Sequence, residues 1–162
     1  MPIINLQTEI NAPIRRCFDL SRSIDLHIIT TKKTKEKAIA GRTTGLIQLN
    51  DTVTWEARHF SIRQQLTSKI SQLVSPEFFV DEMVNGAFKR IYHEHRFREL
   101  EGKTVMIDIF DFSSPFGVLG KLANVLFLTN YMKGFLLKRN QVIKEYAETE
   151  QWKDLPGMNG NP

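Results

Sequence analysis

Two histidines one residue apart, His93 and His95, stand in the middle of GAFKRIYHEHRFRELEGKT, residues 86 to 104. Imidazoles at that spacing suit three kinds of chemistry: paired metal ligands, a general base oriented by an acid, or polar anchors in an apolar cavity. Glu94 between them looks like the third member of a converging group, but the strand period separates it. Along Lys89 to Phe97, Ile91, His93, His95 and Phe97 share one face, while Arg90, Tyr92, Glu94, Arg96 and Arg98 share the other. The charged face belongs to solvent, so both imidazoles point inward and Glu94 points away.

An acid for these imidazoles must therefore come from a neighbouring strand. If Glu101-Gly102 forms a two-residue hairpin turn, Leu100 pairs with Lys103, His95 falls opposite Asp108 and His93 opposite Phe110. A G1-bulge turn would shift the register by one and set His95 against Ile107 instead. In the first register Asp108 orients His95 and raises its pKa through the opposite charge. The pair then serves as a satisfied hydrogen bond in a cavity wall or, in a second reading, as a general base toward an activated C–H or a water. A metal would need further ligands from Asp108, Asp81 or His59, and with no HExxH motif or cysteine ligand set none is assigned. No cofactor is assigned either. A Gly-x-Ser-x-Gly elbow and a Cys/His nucleophile arrangement are both missing, and Cys17 reads as a small buried hydrophobe in an amphipathic helix.

The cavity walls follow from the same alternation. Trp55, Ala57 and His59 share a face that excludes Thr54, Glu56 and Arg58, and Phe79, Asp81 and Met83 extend it. Val125, Leu128, Met132 and Phe135 recur at three and four residues, continued by Val142 and Tyr146, and form the roof. A helix from about Gly117 to Glu148 would be about 45 Å long, enough to cross a sheet. Lys121, Lys133, Lys138, Arg139 and Lys144 are placed on its solvated face, with reversible membrane-surface contact as the sharper alternative.

The elements that position these groups can be read in order. IINLQTEI alternates as a half-buried strand; NAPIRRCFDL predicts a short helix with Asn11 as cap and Pro13 in its first turn; SIDLHII predicts another with Ser23 as cap. From Lys35 to Phe112, turn signals such as Gly41, Gly45, Asn50-Asp51 and Glu101-Gly102 punctuate about six strands too closely spaced for crossover helices, so the sheet is an antiparallel meander.

A length of 162 residues with 41% hydrophobic content predicts a single domain over residues 1 to 150, followed by a mobile polar tail over 151 to 162. One cysteine excludes an internal disulfide, and the start lacks a secretory pattern, so a cytoplasmic setting is expected. The apolar run over 116 to 132 is interrupted by Lys121, Asn124 and Asn130, which argues against a membrane span. Its 22 basic and 18 acidic residues are well mixed apart from the Lys32 to Lys37 cluster, and no nucleic-acid partner is expected.

This order of elements resembles the helix-grip fold of the START-like, or birch-pollen-allergen-like, superfamily. NAPIRRCFDL is similar to its first helix. LNDTVTWEARHF, FFVDEMVNGAFKRIYHEHRF and GKTVMIDIFDFSSPFGVLGKLANVLF resemble its bacterial SRPBCC branch, labelled polyketide cyclase or dehydrase. The resemblance spans roughly residues 3 to 148. It implies an α+β fold in which a curved antiparallel sheet of about seven strands, with two short helices, grips a long C-terminal helix around an apolar ligand or a reaction site. The function it implies is binding of a small lipophilic molecule, with Trp55, His59, Phe79, His93, His95, Asp108, Phe110, Val125, Leu128, Met132 and Phe135 as ligand contacts. The alternatives are a cyclase or dehydrase with the His95 and Asp108 pair as general base, and a surface regulator working through the basic helix and the Lys32 to Lys37 loop.

Overall fold

Strands that are apolar on one face only must have that face covered, and the fold follows from how the chain does so. The computed structural model describes residues 2–59, 61–114, 122 and 127–159. Seven strands form one antiparallel sheet: β1 (Ile3–Ile10), β2 (Lys37–Gly41), β3 (Thr52–His59), β4 (Ile62–Val74), β5 (Phe78–Asn85), β6 (Arg90–Leu100) and β7 (Lys103–Ser113). Helices α1 (Ile14–Ser21) and α2 (Ile24–Thr30) connect β1 to β2, and α3 (Thr129–Glu148) follows β7. The spatial order is β1-β7-β6-β5-β4-β3-β2, so β2 to β7 make the meander and β1 closes on β7. This is the expected α+β architecture.

The β6–β7 turn is the two-residue hairpin. Glu101 and Gly102 both have positive φ, 51° and 75°, as a type I′ turn requires. Leu100 pairs with Lys103, which carries His95 opposite Asp108 and His93 opposite Phe110. The register that joins an imidazole to an acid is therefore set by a turn five residue pairs away.

The helices cover the concave face. Phe18 of α1 meets Phe79 and Phe97 edge-on at centroid distances of 5.6 and 5.5 Å, a favoured aromatic geometry. Ser23 caps α2, its hydroxyl accepting from the Leu26 N–H at 3.2 Å. Asn11 does not cap α1 as expected: Pro13 holds the cap position, and the Asn11 N–H donates to Glu148 of α3 at 2.8 Å.

Two expectations about the C-terminal part change, and a third falls largely outside the described residues. α3 is described over Thr129–Glu148, 20 residues or about 30 Å, while most of the expected helix before it, with Lys121 and Val125, lies outside the described residues. Its buried stripe is Leu136, Arg139, Asn140, Ile143 and Ala147, rotated from the expected Phe135, Val142 and Tyr146, which are half-buried. Finally, residues 151 to 159 are packed where a mobile tail was expected. Gln151–Asp154 form a 3-10 turn, Leu155 is buried, and Trp152 lies under the Arg16 guanidinium at 4.5 Å. The apolar residues of WKDL outweigh the prolines and glycines around them. No helix among the described residues is long and apolar enough to cross a membrane.

Two glycines test this geometry. A Cβ at Gly102 meets nothing within 4 Å, so Gly102→Ala should lose about 1–2 kcal/mol from positive φ alone. A Cβ at Gly41 would stand 2.2 Å from the Thr52 carbonyl oxygen, so Gly41→Ala should lose clearly more. Urea unfolding of both variants measures the difference, and equal losses would contradict the close β2–β3 approach.

Candidate functional site

Asp108 of β7 is 0% exposed, and three donors and a second imidazole converge on it. His93 Nε2 donates to Oδ1 at 3.0 Å, and Asn140 Nδ2 donates to Oδ2 at 2.6 Å. Arg139 Nη1 reaches Oδ1 at 3.5 Å. His95 Nδ1 lies 2.9 Å from the same oxygen but off the line of a hydrogen bond, so the contact is electrostatic rather than directed. Arg139, 6% exposed, also donates from Nη2 to the Ser21 carbonyl of α1 at 3.0 Å. The two imidazoles lie 3.8 Å apart, with Phe79 stacked on His95 at 4.2 Å and Phe110 edge-on to His93 at 5.0 Å.

These contacts set the charges. Burial by itself would raise the Asp108 pKa, but the hydrogen bond from His93, the close approach of His95 and the charge of Arg139 outweigh it and hold the carboxyl well below its usual range. Burial, followed by the neighbouring His93, pushes His95 well below the usual imidazole range, and the pull of Asp108 is smaller. Asp108 does raise the His95 pKa, as expected, but the net direction is down: a ring only 3% exposed loses more from desolvation than it gains from one acid. Burial also lowers the Arg139 pKa, opposed by Asp108 and Asp81. At neutral pH the cluster is an aspartate–arginine ion pair with a neutral His95 beside it.

A cavity of about 530 Å³ lies between the sheet and α3. His93, His95, Phe79 and Phe110 line its inner end, Trp55 and His59 its β3 wall, and Leu128, Met132 and Phe135 its helical side. Every described ligand contact expected from the sequence lines it except Asp108, which stands behind the imidazoles and holds them; Val125 lies outside the described residues.

A second polar group borders the cavity away from Asp108. Glu36 accepts from or pairs with His27 Nε2 at 2.6 Å and lies 3.8 Å from His59 Nε2, while His59 Nδ1 hydrogen-bonds the Tyr131 hydroxyl at 2.8 Å. Trp55 packs on the His27 ring at 4.2 Å. Burial and then Glu36 raise the Tyr131 pKa, so its phenol stays protonated.

Arg139, Asn140, Glu36, His27 and Tyr131 were not expected here. Arg139 had been placed with the solvated lysines, of which Lys133 and Lys138 are indeed exposed. The available signals were small: Arg139 and Asn140 fall three and four residues after Leu136, and Glu36 is a lone acid in a basic run.

His93, His95 and Asp108 also bring three ligand-type atoms within 4.8 Å of one another. Their fit to a metal is poor. A dication there would replace the proton that His93 donates and face the Arg139 guanidinium across the same carboxylate oxygen. Asp81 and His59 belong to neither this group nor its hydrogen bonds.

Solved structures share this fold. The Thermus thermophilus protein TTHA0849 is 14% identical with a TM-score of 0.74, covering 90% of this chain and 97% of that one. Ginseng major latex-like protein 151 from Panax ginseng is 15% identical at a TM-score of 0.67, covering 91% and 98%. A START superfamily protein from Mycobacterium smegmatis is 12% identical at 0.68, covering 89% and 97%. No protein-family model and no curated protein matches the sequence. The chain has the helix-grip fold of START-like and birch-pollen-allergen-like proteins.

Two measurements check the cluster. Asp108→Asn leaves the Arg139 charge buried without a counterion and should cost about 3–5 kcal/mol in denaturant unfolding; adding Arg139→Met should recover part of it. For pH, His95 has a folded pKa below the ~6.5 of an unfolded imidazole, so the unfolded chain takes the proton first. Its contribution is therefore complete above about pH 6.5 and lost as pH falls, by up to ~1.4 kcal/mol per unit, whereas that of Asp108 is lost only below ~3.9. Between those limits, His95→Gln should flatten the fall of the thermal midpoint.

Proposed function

We propose that this protein binds a small hydrophobic or amphipathic molecule in the cavity between the sheet and α3. The observation that carries this reading is the cavity: about 530 Å³, walled mainly by apolar side chains, with a few polar groups turned inward. That size and composition match small-molecule sites, where apolar walls supply affinity and a few polar atoms fix orientation. The helix-grip resemblance, which implies an apolar ligand held between sheet and helix, supports the same conclusion. Trp55, Phe79 and Phe110 form rigid aromatic walls, while Met132 and Leu128 on the helix adapt to ligand shape.

A second reading, a cyclase or dehydrase in which His95 acts as general base, draws support from an imidazole that is neutral and borders the cavity. Under this reading His95→Gln would abolish turnover while leaving ligand affinity near its original value.

Of the two tryptophans, Trp55 lines the cavity and Trp152 does not, so a Trp152→Phe protein has one fluorescent reporter in the site. Dodecanol, dodecanoate or dodecylamine should change its emission saturably at one molecule per chain. Phe135→Ala should weaken that binding by about tenfold, the loss of part of one buried aromatic contact. No saturable response to any of the three would sink the binding reading.

A further inference from the structure

The charged groups lining the cavity, among the described residues, are not equally provided for. Arg22 is bound to Asp19 through Nε at 3.0 Å and Nη2 at 2.8 Å, and donates to the Ile47 carbonyl at 3.1 Å. Arg139 is bound to Asp108, and Glu36 to His27. Asp81 has no such partner. Its Oδ1 is buried without any hydrogen bond, and it forms no salt bridge.

The strand register places a second unmet group beside it. Ile70 of β4 pairs with Asp81 of β5, and Ser68 stands two residues before Ile70 on the same concave face. Ser68 is 4% exposed, lines the cavity, and its Oγ has no hydrogen-bond partner. On the other side Asp81 pairs with His93 of β6. Buried polar groups are normally satisfied, so a carboxylate oxygen and a hydroxyl left open side by side in a ligand cavity mark where a ligand's donor belongs.

From this geometry we infer that Asp81 and Ser68 form a subsite for a protonated amine, so the ligand is a lipophilic amine whose apolar body fills the rest of the cavity. The inference rests on the binding reading above and names its ligand class. With both lining arginines already paired to other carboxylates, an ionised Asp81 adds a negative charge that no ion pair among the described residues balances. A ligand carboxylate would meet that charge with no free arginine among the described lining residues to receive it, and a neutral hydroxyl would donate one hydrogen bond and leave the charge unbalanced. An ammonium supplies both the donors and the countercharge. Burial raises the Asp81 pKa above its ordinary value, opposed by the neighbouring Ser68 hydroxyl and then by His93, His27 and Arg139, and an ammonium bound beside it would favour the carboxylate.

Titrations of the full chain with dodecylamine, dodecanol and dodecanoate separate this claim from the one beneath it. The amine should bind at least about tenfold more tightly than the alcohol, with the carboxylate weakest. Asp81→Asn, which keeps the shape, should remove the amine's advantage and leave the alcohol's affinity within about twofold. If that variant does not fold, Ser68→Ala serves in its place and should reduce the amine's advantage by about threefold. Binding of the alcohol with no preference for the amine overturns the amine subsite while the lipophilic site stands, and so does a preference that survives both substitutions. Absence of binding by all three overturns both.

Discussion

A carboxylate with no access to water must take all its hydrogen bonds from the protein, and for Asp108 that requirement ties three elements together. Its donors come from β6 through His93, and from α3 through Arg139 and Asn140; Arg139 then reaches the Ser21 carbonyl at the end of α1. Apolar contacts alone would let α3 rotate or slide on the sheet with little change in buried area. Two adjacent side chains that must meet opposite oxygens of one carboxylate do not allow it. The network's main contribution is therefore to specify one helix position, since a buried ion pair adds little net stability over a well-packed apolar substitute.

This fixed point lies toward the C-terminal half of α3, and its place explains the cavity. Beyond Arg139 the helix is packed: Ile143 and Ala147 are buried against the cluster around Phe18 and Ile10. Before Leu136, the residues facing the sheet are only half-buried, and the polar tie across the gap is Tyr131 to His59. The helix is thus clamped at one end and less fully buried at the other, where Leu128 and Met132 rest half-buried against the cluster of Ile4, Leu6, Phe110 and Phe112. A concave sheet beneath such a helix leaves space that large side chains border without filling.

How far the sequence revealed this depends on the range of the interaction concerned. Strand alternation is local, so the inward facing of His93, His95, Trp55 and Phe79 was legible, as was the pairing of His95 with Asp108 once a two-residue turn was assumed. Arg139 and Asn140 were not, because a period of 3.6 assigns polar residues to the solvated side, and only an acid 31 and 32 residues earlier reverses that. Glu36 was hidden likewise by the lysines around it, its partner His27 lying on another element. The net direction of the His95 pKa was hidden for a related reason. A pairwise argument sees the acid, whereas the ring responds first to the removal of water on every side.

The two polar groups and the open pair between them also give the cavity a polarity along its length. At one end Asp108 consumes its donors and leaves a neutral, rigid wall of stacked rings; at the other, Glu36, His27, His59 and Tyr131 form a hydrogen-bonded border where α2, β3 and α3 meet. The carboxylates of both are internally paired, although His95 Nδ1 is left without a hydrogen bond. Asp81 Oδ1 and Ser68 Oγ also have no partner, and a polar group left unmet costs about 1–3 kcal/mol in the empty protein, more for a charge. A chain that only needed to fold would gain by placing an apolar residue there. Among the described residues every other carboxylate and guanidinium lining the cavity is paired, so on the amine reading the recognition chemistry belongs to β4 and β5 rather than to the histidines that first draw attention.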